Sequence, residues 1–255
     1  MTRMRGPWSF ASQEWGLVVE GFQPPAVIMV PQNPPIYNEW FVAFGLQKAK
    51  DLLVYVADAR EGYTFPQRYL GVTDRVQRRY GIAVRQIDLK RLPQEVATLM
   101  ALSNRAIGEN WGYYPVTAAE SAALARDLRR IIDPKAVLIA EGRDGAPIGF
   151  AIALPDLNVL LQGLNGRLWP LGWLRLLWGL PRLRQYRMWA LGVIPEYQGK
   201  AVDALLYRRL YEALYGPDLR MEVNYVLEDN VRMNNALSRL QVQKLRRYRV
   251  YEMDI

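Results

Sequence analysis

Residues Val84-Arg85-Gln86-Ile87-Asp88-Leu89 alternate apolar and polar, the period of a half-buried strand. From Pro93 to Ile107 the spacing becomes helical, with Val96, Leu99, Met100, Ser103 and Ile107 on one face. Thr117-Ala118-Ala119-Glu120 has the form of a capping box, and the helix it opens is predicted to run toward Ile132, before Asp133-Pro134. Ala136 to Glu141 is a short apolar strand. Arg143-Asp144-Gly145 is a hairpin turn, and Ile148 to Leu154 returns. After an irregular stretch, Asp156 to Arg184, the pattern predicts a buried strand at Met188–Val193 and an amphipathic helix at Ala201–Leu214. A strand at Arg220–Leu227, a helix at Asn230–Leu240 and a last strand at Leu245–Met253 follow. From residue 82 onward the order is β-α-α-β-β-(insert)-β-α-β-α-β, which implies a mixed α/β sheet.

The pattern also echoes itself. Gln47 to Asp58 aligns without gaps to Gln243 to Asp254, with Gln, Lys, Val, Tyr and Asp in matching places. Each copy follows a helical stretch, and an Asn stands before each helix, Asn33 and Asn230. This order favours a degenerate repeat. The expected division is the end of a first unit at 1–60, a linker or helix at 61–81, and a full unit at 82–255 with an insert at 156–187. On that reading the chain begins inside its first unit.

Composition narrows the chemistry. Among 255 residues there is no Cys and no His. Thiol nucleophiles, imidazole-based triads, zinc fingers and disulfides are excluded for this chain alone, and a metal would need oxygen ligands only. A general base must be Asp, Glu, Lys, Tyr or a relayed water. A net charge of +8 favours phosphate-bearing or polyanionic partners. Met1 to Phe10 is not a secretory signal. The most apolar window, Leu168 to Pro181, is broken by Pro170, Gly172, Arg175 and Gly179 and falls short of the roughly 20 apolar residues of a membrane span. A cytoplasmic location is expected.

The segment richest in chemistry is Leu191-Gly192-Val193-Ile194-Pro195-Glu196-Tyr197-Gln198-Gly199-Lys200-Ala201-Val202-Asp203. It reads as strand, tight loop, helix. First-turn N–H groups lack intrahelical partners and, with the helix dipole and Lys200, form an anion site. Here the sequence resembles the GCN5-related N-acetyltransferase superfamily. Its loop signature, Gln/Arg-x-x-Gly-x-Gly/Ala after a strand ending apolar-x-Val-x-Pro, matches at Leu191, Val193, Pro195 and Gln198. Ala201 and Asp203 occupy its glycine positions. The whole chain also resembles a bacterial group of tandem acetyltransferase-like proteins, at Arg5-Gly6-Pro7, Asn33-Pro34-Pro35-Ile36-Tyr37 and Asn110-Trp111-Gly112.

The resemblance implies an acyl-CoA N-acyltransferase fold with a partial preceding repeat. It implies acetyl-CoA or another acyl-CoA as co-substrate, without a metal, and direct transfer of a group other than an aminoacyl group to an amine. Pantetheine would pair with Leu191, Gly192 and Val193. The pyrophosphate would rest on Gln198, Gly199, Lys200, Ala201, Val202 and Asp203, and Asn230 would open the helix flanking the cofactor. The family's usual Tyr acid falls on Leu237. Candidate bases are then Glu222, expected on one strand face with Asn224, and Glu196. Tyr225 is a candidate acid. Asn110, Trp111 and Tyr113 would line the acceptor pocket.

Residues 157 to 195 hold five Arg, four Trp and no carboxylate. They read as a cover over the core, a lid over an apolar acceptor or longer acyl chain, or an interfacial element touching anionic lipid. The basic run Arg239, Lys244, Arg246, Arg247 and Arg249 reads as a solvated strand face, so nucleic acid is not an expected partner. The unpaired strand edges of a partial first unit suggest a homodimer. Three functions remain: an acyltransferase, a catalytically degenerate CoA-binding or partner-binding protein, and a membrane-surface or lipid-related protein acting through residues 157–187.

Overall fold

A computed structural model describes residues 2–9, 14–164 and 166–255, with only the backbone described at 124, 127 and 128. Met1 and Phe10, the ends of the segment read as no signal, and Asn165 in the insert lie outside the described residues. In chain order the strands and α-helices are β1 (Arg3–Gly6), β2 (Leu17–Glu20), α1 (Ile36–Ala43), β3 (Gln47–Asp58), α2 (Arg68–Tyr80), β4 (Ala83–Gln86), α3 (Leu92–Ile107), α4 (Ala118–Leu128), β5 (Val137–Glu141), β6 (Pro147–Pro155), α5 (Asn158–Leu161), α6 (Gly172–Gly179), β7 (Gln185–Val193), α7 (Val202–Leu214), β8 (Arg220–Leu227), α8 (Val231–Arg239) and β9 (Gln243–Asp254). The mixed α/β architecture expected from the alternation is present.

The chain gathers into two compact units that interleave in sequence. One comprises Met1–Ala57, Asp156–Leu183 and Arg220–Ile255. The other comprises Asp58–Pro155 and Arg184–Leu219.

In the second unit β4, β5, β6 and β7 pair antiparallel in chain order. Leu138, Ile139, Phe150, Ile152 and Leu154 are buried, as are Leu99 and Leu102 of α3 and Leu205, Leu206 and Leu210 of α7. The capping box of α4 forms with both of its bonds, Thr117 Oγ1 accepting from Glu120 N–H and Glu120 accepting from Thr117 N–H. The helix ends at Leu128, four residues before Ile132. The 61–81 segment contains α2, whose Asp74 and Thr73 accept from Arg208 of α7 at 2.5 and 2.8 Å.

In the first unit β9 pairs with β3 on one edge and with β1 and β2 on the other, and β8 follows β3. β1 carries no alternation because three of its four residues are exposed. It is held by ion pairs instead, Arg3 with Asp254 and Arg5 with Glu252.

The two segments that echo each other in sequence are β3 and β9, each 12 residues long and antiparallel neighbours. Their bonds are reciprocal. Tyr55 Oη of β3 donates to Asn234 of α8 at 2.8 Å, and Tyr251 Oη of β9 donates to Asn38 of α1 at 2.9 Å. Both the two tyrosines and the two asparagines are 196 positions apart, the offset of the sequence echo.

Candidate functional site

In the second unit, β7 leads into the loop whose composition suggested anion binding. The strand carries a bulge at Trp189: Ile152 opposes Ala190 and Ala153 opposes Met188, so Trp189 has no opposite number. Such a bulge bends and twists the strand locally. Gly192 lies opposite Phe150, and a Cβ there would stand 2.7 Å from the Phe150 ring and 2.8 Å from Ala106 Cβ. Glycine is therefore required there by close packing between β7, β6 and α3. Leu191 is half-buried and Val193 buried.

The loop turns through Pro195–Tyr197, and Gln198 Nε2 donates back to the Val193 carbonyl at 3.0 Å. Gly199 and Ala201 both have left-handed backbones, φ +75° and +58°. A side chain at Gly199 would meet open space, so the glycine serves the turn and not a tight contact. Ala201 caps α7 without a side-chain bond, and the first ladder bond runs from Leu205 N–H to Ala201. The N–H groups of Val202, Asp203 and Ala204 thus precede the ladder, the arrangement that binds phosphate at helix N-termini. The donor set fits a pyrophosphate.

Two side chains refine this picture. Lys200 Nζ sits over the rings of Tyr197 and Tyr80, 4.5 and 5.2 Å from their centroids, so its charge is held near the loop by two aromatic faces. Asp203 is close enough to buried Tyr207, one turn along α7, to help burial push that phenol's pKa up. Glu196 forms an exposed ion pair with Arg105 at 3.1 Å. Asn110, Trp111 and Tyr113 follow α3, and Tyr113 Oη donates to Asn104 at 2.6 Å, tying the loop to that helix. Tyr113 therefore has a structural bond of its own.

The first unit contains a second cluster. Arg220, Glu222 and Asn224 alternate along β8 and are all buried, which is the shared face expected for Glu222 and Asn224. Glu222 is 0% exposed, with Oε1 2.6 Å from Arg220 Nη1. Its Oε2 and both amide atoms of Asn224 are buried without a hydrogen-bond partner among the described residues. Buried polar atoms without partners mark a place that water or a ligand completes. Asp156, 4% exposed, accepts from the N–H groups of Ile28 and Asn158 at 2.8 and 3.1 Å. Burial pushes its carboxyl up to about 6, and the Glu222 charge adds to this against the two backbone bonds and Arg220. A carboxyl tuned near neutrality is a candidate general base. Asp156 does not stand out in the sequence, because a lone Asp after a strand resembles any turn residue. The available signal was its place between a fully apolar strand and an insert without acids.

Tyr225 stacks on Trp15 and meets Tyr248 edge-on, with its hydroxyl accepting from Trp15 N–H at 3.4 Å. Asn230 caps α8 through a bond from Met233 N–H at 3.0 Å. Leu237, at the position where the resemblance placed a tyrosine acid, is buried. No cluster of acidic residues able to hold a metal ion occurs among the described residues.

No family model matches the chain. Protein YghO of Escherichia coli strain K12 is 34% identical over 262 residues, covering 100% of this chain and 66% of that protein. The bacterial ceramide synthase of Caulobacter vibrioides is 32% identical over 261 residues, covering 98% of this chain and 66% of that protein. The chain thus spans just under two thirds of both relatives. Among solved structures, a GCN5-related N-acetyltransferase from Sphaerobacter thermophilus superposes over 87% of this chain and 56% of its own, with TM-score 0.57 and 14% identity. A tandem protein of the same fold from clavulanic acid biosynthesis superposes over 88% of this chain and 60% of its own, with TM-score 0.51 and 13% identity. The likeness to these neighbours shows that the chain has the fold of the GCN5-related N-acetyltransferases.

Proposed function

We propose that the chain works in an acyl-CoA-dependent N-acyltransferase whose acceptor is a long-chain amino alcohol. The observation that carries the acceptor class is the 32% identity to a bacterial ceramide synthase along 98% of the chain. A ceramide is the amide of such an amine, so the name describes the same bond formation. The donor reading is supported by the superfamily fold and by the uncapped start of α7 behind Gly199 and Ala201. Leu191, Gly192 and Val193 would serve the pantetheine arm, and residues 198–203 the pyrophosphate.

In the reaction the neutral amine attacks the thioester carbonyl carbon. A C–N bond forms, the C–S bond breaks, and CoA leaves as the thiolate. The amine proton goes to a carboxylate, for which Asp156 and Glu222 are the buried candidates. The thiolate takes a proton from solvent or from Tyr225. Absence of Cys and His is compatible with this route, because direct transfer needs neither thiol nor imidazole. The reciprocal Tyr–Asn bonds of β3 and β9 support a further part of the proposal, that residues before 60 close a degenerate preceding unit.

The test is incubation of purified protein with acyl-CoA and a panel of amines, reading amide mass and free thiol together. Buried Leu237 in the tyrosine position favours a second reading, a CoA-binding descendant without turnover. Saturable CoA binding with no amide formed from any amine would select it.

A further inference from the structure

The segment from 157 to 183 faces water in an unusual way. Leu160 and Leu183 are buried, and α6 rests on α5 where Gly179 meets Leu160: a Cβ on that glycine would fall 2.5 Å from Leu160 Cδ2. Leu164, Leu174, Leu176 and Leu180 are half-buried, but a large share of the apolar side chains gives no cover. Leu168, Leu171, Trp173 and Leu177 are exposed, Trp178 is 63% exposed and Trp169 is 82% exposed. The cover expected for this stretch is therefore partial. Trp173 and Leu177 are four apart on α6 and share a face, while Arg175 falls on the opposite side of the helix. A run of this kind exceeds what a freely soluble surface carries without purpose.

The charge around it names the occupant. Residues 157 to 183 contain Arg167, Arg175 and Arg182, all exposed, and no Asp or Glu. Tryptophan and leucine beside arginine, with no acid among them, match the boundary of an anionic bilayer: indole rings lie at headgroup depth, leucines reach the acyl chains and guanidinium groups pair with phosphates. No helix among the described residues is long and apolar enough to cross a membrane, so the contact is peripheral. We infer that residues 167–182 form a docking element for the surface of an anionic phospholipid membrane. The docking is read from this segment alone and does not depend on acyl transfer.

The test is flotation of the full chain with vesicles of phosphatidylcholine alone or with 30 mol% phosphatidylglycerol (about that fraction suffices for a strong surface charge). The protein floats with the anionic vesicles, does so less as salt rises, and floats weakly with the neutral ones. Arg175→Glu lowers the partition coefficient about 30-fold, from roughly a fivefold factor for each unit of charge. Trp169→Ser with Trp178→Ser abolishes both flotation and quenching of tryptophan fluorescence by bromine-labelled lipid. Both sites are exposed, so circular dichroism and the urea midpoint stay at wild type. No flotation with anionic vesicles overturns the inference. So does flotation that persists in both variants, which would place the contact elsewhere. So does a dimer in light scattering that the tryptophan variant converts to monomer, which would make the patch a contact between copies.

Discussion

At the scale of single residues, Asp156 and Lys200 carry the sharpest consequences. The Asp156 carboxyl titrates at about 6 in the folded protein, above the ordinary value of 3.8. Its protonated form therefore favours folding. That contribution is complete below about pH 4 and is lost as pH rises through 6, with a ceiling of about 3 kcal/mol for two pKa units. Asp156→Asn is expected to flatten this dependence, so that its urea midpoint changes less between pH 5 and pH 8 than that of the wild type. If Asp156 is the base, the same variant loses acyl transfer and the rise of kcat/KM through pH 6 disappears with it. Lys200→Glu is expected to weaken CoA binding about tenfold at low salt by reversing a charge beside the α7 start, while Ala201→Gly keeps the affinity because glycine adopts the same left-handed backbone. Calorimetric titration with CoA checks both. The sequence singled out Lys200, but its two tyrosine faces were illegible, since Tyr80 is 120 positions away. Glu222 was legible as a strand-face carboxylate. Its pairing with Arg220, two residues before it, is the part that only burial reveals.

At the scale of elements, most strands and helices could be read from period alone, because each buries one face. The alternation at 84–89 became β4 only as far as Gln86, beyond which Asp88 caps a short turn of 3-10 helix at Leu89–Arg91. The helical spacing at 93–107 became α3, and Arg220–Leu227 is β8 as expected. What escaped has a physical reason. β1 is held by arginine–carboxylate pairs and is mostly exposed, so it shows no apolar period. Gly192 shows a different difficulty. Its packing against Phe150 and Ala106 comes from distant parts of the chain and leaves no local mark in the sequence. Gly192→Ala is expected to cost about 1–3 kcal/mol by forcing Phe150 or Ala106 to move, measured by urea unfolding. The pairing of β3 and β9 makes a second expectation. Tyr55→Phe and Tyr251→Phe should each cost about 0.5–1.5 kcal/mol, one bond apiece, and by similar amounts because the bonds are reciprocal. A large cost for one and none for the other would show that the two halves of the echo are unequal in the fold.

At the scale of the whole molecule, the excess of eight positive charges takes on a distribution. Part of it is neutralised within the first unit, where Asp51 binds Arg249 and Lys48, and Glu20 pairs with Arg247. Part lies at Lys200, and part on the acid-free stretch from 157 to 183. This accounts for a basic chain without nucleic-acid modules. The central proposal concerns chemistry: that this chain joins an acyl group to an amine at the expense of a CoA thioester. One measurement tests it most directly. Purified protein, a long-chain acyl-CoA carrying a heavy-isotope acyl group and a long-chain amino alcohol are followed by mass spectrometry alongside thiol release. The account predicts the isotopically labelled amide and one free CoA for each amide, both abolished by heat denaturation. Release of CoA without amide, or no release from any acyl-CoA across the amine panel, would contradict it.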